Sequence, residues 1–340
     1  MLVTKKVKMF KSLKYKDFLV AIKGFAMGAA NVIPGVSGGT IALVTGIYED
    51  LINSLKSFDN KALHYLLKGE FSNLLTHINA RFLLALAVGI ISSIFSIAKL
   101  FAYLLVEHPI HIWAFFFGLV LASVYYVGKT VEKWTLGNRC FFALGTVIAI
   151  IISLTNPTPT ENSNYLFVFF CGIIGISGML LPGLSGSYIL MLLGNYKLLM
   201  VDSINTLSLC IKELLSGNTS ILSHPEHKTG LINFLIFLLG SVFGLVAFSK
   251  IIAWIFKRFK NSTISILTGF VFGSLAIIWP WKNEITNPEI IDRHGNEMIV
   301  GYERYIPNQF DQTTVIAILC VLFGIIYIWG VEKMAEKQSR

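Results

Sequence analysis

A helix-breaking motif occurs twice in a chain that otherwise consists of long apolar segments. The two copies, "IPGVSGG" and "LPGLSGS", begin at Ile33 and Leu181, 148 residues apart. Proline inside a helix removes a backbone hydrogen bond and clashes with the preceding turn, and glycine weakens a helix further. Each copy is therefore expected to end one helix and to start another.

The similarity between the two copies extends well beyond the motif. Ile33–Tyr48 aligns without gaps to Leu181–Tyr196, and further along the chain the spacing between matching residues becomes 151. The identical pairs are Pro34/Pro182, Gly35/Gly183, Ser37/Ser185, Gly38/Gly186, Gly46/Gly194, Tyr48/Tyr196, Gly89/Gly240, Lys99/Lys250, Gly118/Gly269 and Ser123/Ser274. The sequence therefore predicts an internal duplication.

The composition is that of an integral membrane protein. Of the 340 residues, 54% are hydrophobic and only 14% are charged, and the mean hydropathy is +0.68. Soluble domains carry about 25% charged residues. The net charge of +9 is therefore attributed to an anionic membrane face. Nucleic-acid binding is excluded, because the basic residues are not interleaved with exposed aromatic residues.

The lengths of the apolar segments favour two re-entrant hairpins. The segments beside each breaker have about 15–17 residues, or roughly 22–25 Å of helix, which is shorter than a ~30 Å hydrocarbon core. These hairpins would be formed by 18–33 with 40–55 and by 165–181 with 187–201. Each half also has three segments that can span the membrane. They are 82–106, 110–128 and 140–155 in the first half, and 231–256, 263–279 and 313–330 in the second. A re-entrant hairpin enters and leaves on the same side of the membrane, so each half crosses it three times. Because three is odd, the second half is inverted relative to the first.

Lys and Arg residues concentrate in cytoplasmic loops, and this rule supports the inverted arrangement. With cytoplasmic N- and C-termini, the inner loops carry 19 Lys and Arg residues and the outer loops carry five. The predicted fold is an all-α polytopic membrane protein with two inverted repeats, each a re-entrant hairpin plus three transmembrane helices. Its parts are a basic N-terminus (1–17), the first repeat (18–155), an external linker (156–164), the second repeat (165–330, with an external loop at 280–312) and a cytoplasmic tail (331–340).

The breakers are candidate anion sites. The first amides of the helix that follows a breaker are unpaired and carry the positive end of the helix dipole, and a serine hydroxyl adds a donor. Paired broken helices in inverted repeats indicate a transporter's binding site. The alternative is a structural turn in which the serine caps the next helix. The candidate substrate-binding residues are Asn31, Gly35, Ser37, Gly38, Gly39, Thr40, Lys99, Gly183, Ser185, Gly186, Ser187, Tyr188 and Lys250.

Two lysines and one glutamate add to this hypothesis. Lys99 and Lys250 each lie inside a long apolar segment, about 9–10 Å below the membrane surface, where ionisable side chains are costly and often functional. They would serve one breaker each, unless they extend to the lipid headgroups. Glu49 is a weak candidate for proton coupling, and an ordinary interfacial carboxylate is the alternative.

The remaining features restrict the chemistry. Four scattered cysteines, Cys140, Cys171, Cys210 and Cys320, predict neither a disulfide framework nor a metal site, and no cofactor is expected. The outer loop 280–312 has six acidic and three basic residues and is expected to form a small hairpin. Segment 59–78 is expected to be an amphipathic stretch on the inner surface.

The duplicated breakers "ANVIPGVSGGT" and "GMLLPGLSGSY", together with the basic N-terminus, resemble the PopT family of bacterial polyprenyl-phosphate transporters. The resemblance covers essentially the whole chain. It implies an inner-membrane flippase that returns undecaprenyl phosphate from the outer to the inner leaflet for cell-envelope synthesis. Because an anion that moves inward works against a negative-inside potential, coupling to H⁺ or Na⁺, or cytoplasmic consumption of the carrier, is a further hypothesis. The matching positions are 31–40 and 181–188. The second copy has Met179 in place of Asn31 and Ser187 in place of Gly39, so the two tips need not act alike. The sequence does not give the oligomeric state.

Two other functions fit parts of the pattern. A channel or carrier for small inorganic anions would use the same tips and lysines. The GxSG pattern around Ser37 also occurs in intramembrane serine proteases, whose serine needs a base within hydrogen-bond reach. All seven histidines lie in predicted loops or at the ends of spans, so the chain is not expected to be an enzyme.

Overall fold

A computed structural model of the chain describes residues 2–32, 37–155, 161–215, 225–291 and 297–339. These residues form fourteen α-helices, a π-helical segment at Lys197–Asp202 and one antiparallel pair of strands. The α-helices are α1 (Leu2–Val32), α2 (Gly38–Val44), α3 (Tyr48–Lys56), α4 (Asn60–Leu67), α5 (Phe71–His77), α6 (Ala80–Glu107), α7 (Pro109–Lys129), α8 (Leu136–Leu154), α9 (Tyr165–Leu180), α10 (Gly186–Leu192), α11 (Ser203–Leu215), α12 (Pro225–Arg258), α13 (Lys260–Ser274) and α14 (Gln312–Ser339). The strands are β1 (Lys282–Ile291) and β2 (Glu297–Arg304).

The long helices pack in pairs that repeat between the two halves. Helix α1 packs on α6, and α9 packs on α12 in the same way. The remaining pairs cross between halves, α8 with α13 and α7 with α14. By the sequence alignment, α7 corresponds to α13 and α8 corresponds to α14. If the halves are exchanged, the α8–α13 pair therefore becomes the α14–α7 pair. The helix packing therefore repeats as the sequence does.

Matching glycines make the closest helix crossings. A Cβ atom at Gly89 would lie 2.0 Å from the carbonyl oxygen of Ala21, and one at Gly240 would lie 2.2 Å from that of Phe169. Contact distances this short exclude any side chain, so the backbones of α6 and α1 touch, as do those of α12 and α9. Small residues at such crossings permit close packing of helices in membranes. The aligned glycines thus serve one packing function in both halves.

The second arm of each predicted hairpin differs from the expectation. The segments 40–55 and 187–201 are each expected from the sequence to form one helix, but each is divided in two. The breaks lie at Gly46 and Gly194, with φ angles of +71° and +73°. Glycine adopts this left-handed conformation without steric cost. The breaks occupy aligned positions, so the interruption is a property of the repeat.

Several helices are suited to a bilayer. Within the described residues, four helical stretches are long and apolar enough to cross a membrane: Pro109–Lys129, Leu136–Leu154, His227–Arg258 and Gln312–Gly330. A fifth is possible if α5 and the first part of α6, bent by 67°, count as one span. Helix α13, expected over 263–279, ends at Ser274 and is followed by turns.

The loops complete the fold. The loop 280–312 contains the expected hairpin, formed by β1 and β2, so the fold is not entirely α-helical. Segment 59–78 forms α4 and α5, which expose apolar side chains including Leu67 and Phe71. The main hydrophobic core lies among α2, α3, α7, α12 and α13. Its most buried large side chains include Tyr48, Ile52, Val120, Leu267 and Val271.

Candidate functional site

The first breaker leads directly into α2, whose N-terminus is capped by two side chains. Ser37 has extended backbone angles, and its Oγ accepts a hydrogen bond from the Gly39 N–H at 3.1 Å. The Oδ1 atom of Asn31, on α1, accepts one from the Gly38 N–H at 2.7 Å. Ser37 and Thr40 are buried. The predicted residues are thus close together here, but two of the amides expected to bind an anion are paired within the protein.

The second breaker leads into α10 and contains a glycine in the left-handed conformation. Gly183 has a φ of +83°, and a Cβ atom there would lie 2.4 Å from the carbonyl oxygen of Phe270 on α13. Only glycine fits both the angle and the space. Ser185 caps α10 by accepting a bond from the Tyr188 N–H at 3.5 Å. Gly35, which aligns with Gly183, lies outside the described residues.

The two breakers meet through polar contacts. The Thr40 Oγ1 atom accepts a hydrogen bond from the Gly183 N–H at 2.8 Å. The Tyr48 hydroxyl donates to the carbonyl oxygen of Leu180 at 3.0 Å, and the Ser37 hydroxyl donates to that of Met179 at 3.4 Å. We call this set of contacts the tip junction. It brings Ser37, Thr40 and Gly183, three of the candidate residues, close together.

Gly39 also belongs to the tip junction. A Cβ atom at this position would lie 3.1 Å from the Leu180 carbonyl oxygen, so a larger residue would push the two tips apart. Ser187, the residue aligned with Gly39, is exposed. The two positions therefore have different environments, in keeping with the sequence difference between them.

Two residues at this site are not among the candidates that the sequence suggests. Tyr48 is 1% exposed, and its hydroxyl bonds α3 to the end of α9. Its identity with the aligned Tyr196 is the sequence feature that could have identified it. The Lys23 ammonium group donates to the Thr45 carbonyl oxygen at 2.7 Å, at the C-terminal end of α2, where a positive charge is favourable. In the sequence this lysine interrupts an apolar run, and an intramembrane charge is itself a functional signal.

The other candidates lie outside the tip junction or outside the described part of the structure. Lys250 is exposed on α12, and among the described residues none bonds to its ammonium group. Lys99 lies within α6, and its side chain is outside the described part. Glu49 is exposed and lies 3.7 Å from the Lys260 ammonium group, which is typical of a weak surface ion pair. The roles proposed for these residues stay predictions.

The hydroxyl of Tyr188 bonds away from the tip junction. It donates to the Thr155 carbonyl oxygen at 2.6 Å, just beyond the last turn of α8. In the part of the chain that the structure describes, no cluster of three or more His, Cys, Asp or Glu side chains could hold a metal ion. The polar groups at the breakers are hydroxyls, amides and carbonyls, of which the hydroxyls and amides can donate hydrogen bonds to an anion.

Comparisons with known proteins give one consistent result. Residues 27–298 match a family described as undecaprenyl phosphate translocase-like. A polyprenyl-phosphate transporter of Vibrio cholerae is 36% identical over 322 residues, which cover 93% of this chain and 96% of that protein. A polyprenyl-phosphate transporter of Staphylococcus aureus is 33% identical over 270 residues, or 76% of this chain and 85% of that protein. No solved structure matches the chain.

Proposed function

Because the chain belongs to the undecaprenyl phosphate translocase-like family, we propose that it moves undecaprenyl phosphate, or a related polyprenyl phosphate, from the outer to the inner leaflet of the bacterial cytoplasmic membrane. The chain is a multi-pass membrane protein of a transporter family and is not an enzyme. This agrees with the geometry at the GxSG serine, because the Ser37 hydroxyl bonds to a backbone carbonyl and caps α2.

The observation that supports a headgroup site is the tip junction. It joins two helix breakers through the Thr40 hydroxyl and the Gly183 N–H, in the middle of apolar helices. In a low-dielectric environment, donors of this kind interact strongly with an anion. A phosphate that enters between the tips would take over the Gly183 N–H and the hydroxyls of Ser37 and Thr40, and the tips would separate around it. The polyprenyl chain would stay in the lipid.

The duplication supplies a means of moving the headgroup. We propose that the repeats are inverted, with both termini cytoplasmic, and that one repeat rocks against the other so that the junction opens to either leaflet. Lys99 and Lys250 would then lie at corresponding depths on opposite sides of the membrane. Each would attract the phosphate headgroup from the surrounding lipid towards the tip junction. Inward movement of one negative charge costs about 2.3 kcal/mol per 100 mV. Coupling to H⁺ or Na⁺, or cytoplasmic consumption of the lipid, would offset this cost.

The experiment is a leaflet-resolved assay of polyprenyl phosphate in proteoliposomes with wild type, Thr40→Val and Thr146→Val. Thr146 is the control because its hydroxyl bonds within α8, to the Phe142 carbonyl oxygen. A hydrogen bond to a charged group is worth about 1.5–3 kcal/mol. We therefore expect Thr40→Val to slow redistribution by about tenfold or more, and Thr146→Val to behave like wild type.

The outcomes separate the function from the site. If wild type does not redistribute the lipid while small anions such as inorganic phosphate cross, the chain is an anion carrier and the proposed function is wrong. If wild type is active and both threonine variants match it, the phosphate does not bind at the tip junction. Thermal unfolding of each variant in detergent serves to recognise a misfolded protein.

A further inference from the structure

The outer hairpin places two basic residues opposite each other. Lys282 at the start of β1 pairs with Arg304 at the end of β2 in the antiparallel register. Like charges directly across a strand pair are destabilising, and both side chains are only partly exposed. No residue of this loop, which is acidic overall, is among the candidates for substrate binding. An unfavourable arrangement of this kind calls for a reason.

Arg304 lies across the ends of two helices. Its Nε atom donates to the Ala276 carbonyl oxygen at 2.6 Å, just after α13, and its Nη2 atom donates to that of Ser153 at 3.2 Å, in the last turn of α8. A cation is favourable at such C-terminal ends. A guanidinium group has five N–H donors, and these bonds to carbonyl oxygens use two of them.

Lys282 is held by aromatic rings. Its ammonium group lies 3.4 Å from the ring centre of Trp113 and 4.0 Å from that of Tyr302, and it donates to the Ile277 carbonyl oxygen. Trp113, at the start of α7, is 3% exposed. Ring faces and carbonyl oxygens attract a cation without neutralising it. In the described residues, no carboxylate lies within ion-pair distance of Lys282 or Arg304.

The electrostatics agree with a missing counter-charge. Burial, with the neighbouring Arg304 adding to it, lowers the pKa of Lys282 to about 6, although Glu284 acts in the opposite direction. Burial also lowers the pKa of Arg304. Charges removed from water are normally paired. An anion bound here would supply the charge that the protein does not.

This basic pair lies beside the second breaker. The Arg304 guanidinium donates to the Ser153 carbonyl oxygen in the last turn of α8. Two residues further along the chain, the Thr155 carbonyl oxygen accepts from the Tyr188 hydroxyl. The guanidinium also interacts electrostatically with Tyr188. A headgroup held by Lys282 and Arg304 would therefore be close to the hairpin formed by α9 and α10.

We propose that Lys282 and Arg304 form a phosphate-binding site at the outer end of the helix bundle, where the headgroup binds before it reaches the tip junction. This inference rests on the proposed function, which supplies the lipid and the orientation. The ligand class is a phosphomonoester dianion, either the headgroup of a polyprenyl phosphate or free inorganic phosphate. The Arg304 guanidinium, which has N–H groups beyond the two that bond to carbonyls, suits the several acceptor oxygens of that group. The Lys282 side chain adds a positive charge when an approaching anion favours its protonated form.

Binding to the full-length protein in nanodiscs tests the site. The tryptophan fluorescence, to which Trp113 contributes, would be followed while a short-chain polyprenyl phosphate is added. The variants are Lys282→Met, Lys282→Arg and the control Lys228→Met, which removes an exposed charge at the start of α12. We expect the affinity of Lys282→Met to fall by about tenfold or more and that of Lys228→Met to stay near wild type. Lys282→Arg, which keeps the positive charge, should lose less affinity than Lys282→Met does. The corresponding polyprenol, which lacks phosphate, should not distinguish the variants.

The results also separate the two inferences. If wild type redistributes the lipid and Lys282→Met binds it as well as Lys228→Met does, the outer site is wrong and the proposed function stands. If wild type neither binds nor redistributes the lipid, both fail. Displacement of the lipid by equimolar inorganic phosphate would assign the site to free phosphate and overturn the headgroup assignment. If neither Lys282 variant unfolds like wild type, Arg304→Gln, which removes the other proposed phosphate ligand, replaces them. Its affinity should also fall by about tenfold or more, and binding like that of wild type would count against the site.

Discussion

The two breaker segments share a backbone plan but differ in their polar chemistry. The first has Asn31 and Ser37 capping the start of α2 and Lys23 at its end. At the positions that align with Asn31 and Lys23, the second has Met179 and Cys171, and α10 keeps one long capping bond at 3.5 Å. The duplication therefore preserves glycines and breaks, which set the shape, more strictly than the groups that satisfy the amides.

This difference gives the two tips different tasks. At the first tip, the Gly38 and Gly39 amides are capped from within the same half, by Asn31 and Ser37. The second depends on contacts from outside its own hairpin, with Thr40 on the Gly183 N–H and the Thr155 carbonyl on the Tyr188 hydroxyl. The basic side chains of Lys282 and Arg304, which lie near the second tip, come from the hairpin of β1 and β2. We infer that the second tip is the half that exchanges its bonds for a ligand.

The largest expected effect comes from the backbone of the second tip. In Gly183→Ala, a Cβ atom would meet the Phe270 carbonyl at 2.4 Å in addition to the cost of a positive φ. Gly46→Ala is the matched control, because it has a similar φ of +71° and open space around it. We expect a loss of at least about 3 kcal/mol in the free energy of unfolding for Gly183→Ala and about 1 kcal/mol for Gly46→Ala. Thermal or denaturant unfolding in detergent measures both, and equal losses would refute the close packing at Gly183.

A comparable effect, spread over several pH units, should appear in the pH dependence of stability. The pKa of Lys282 is about 6 in the folded protein and 10.5 when unperturbed, so between these values the unfolded chain binds more protons. The free energy of unfolding should therefore rise with pH in this window, by at most about 1.4 kcal/mol per unit. Below pH 6 both states are protonated and the contribution is constant.

The measurement is the free energy of unfolding of wild type minus that of Lys282→Met, followed from pH 6 to 9. This difference removes the contribution of other titratable groups. Arg304, Glu284 and Tyr302 are the charged or titratable neighbours of Lys282, and all remain in the variant. Saturation with a polyprenyl phosphate should flatten the slope, because an anion favours the protonated lysine. A flat difference without ligand would show that Lys282 is not desolvated in the folded protein.

Sequence reasoning succeeds where local chemistry determines the structure. Proline, glycine and apolar length give the breakers and the long helices, and the alignment of Gly89 with Gly240 reflects one packing constraint used twice. The sequence shows that Gly46 aligns with Gly194, but it does not predict the helix breaks there. A glycine inside an apolar run does not by itself reveal its φ angle.

The remaining contacts depend on distant parts of the chain. The bond from Tyr48 to the end of α9 joins residues 132 positions apart, and no periodicity encodes such a distance. Lys282 lies in an acidic, loop-like stretch, and its importance depends on docking against Trp113. Lys23 is the exception, since a charge in an apolar run is visible in the sequence and only its partner, the end of α2, requires the structure.

The smallest expected effect would make the second tip resemble the first. Met179→Asn places at the start of α10 the residue that Asn31 provides for α2. Gly186 lies next to Met179, since a Cβ atom at Gly186 would be 3.3 Å from the Cβ atom of Met179. The new amide should cap the Gly186 N–H and raise the free energy of unfolding by about 0.5–1 kcal/mol. If the second tip must release its amides to bind phosphate, the same variant should redistribute lipid more slowly despite its greater stability.

Met179→Leu is the control for this last variant, because it keeps an apolar side chain of similar size and adds no acceptor for the Gly186 N–H. Slower transport combined with higher stability separates a functional cap from simple damage, which would lower both. A stabilised variant with unchanged transport would mean that the free amides of α10 do not contact the headgroup. The asymmetry between the tips would then concern folding alone.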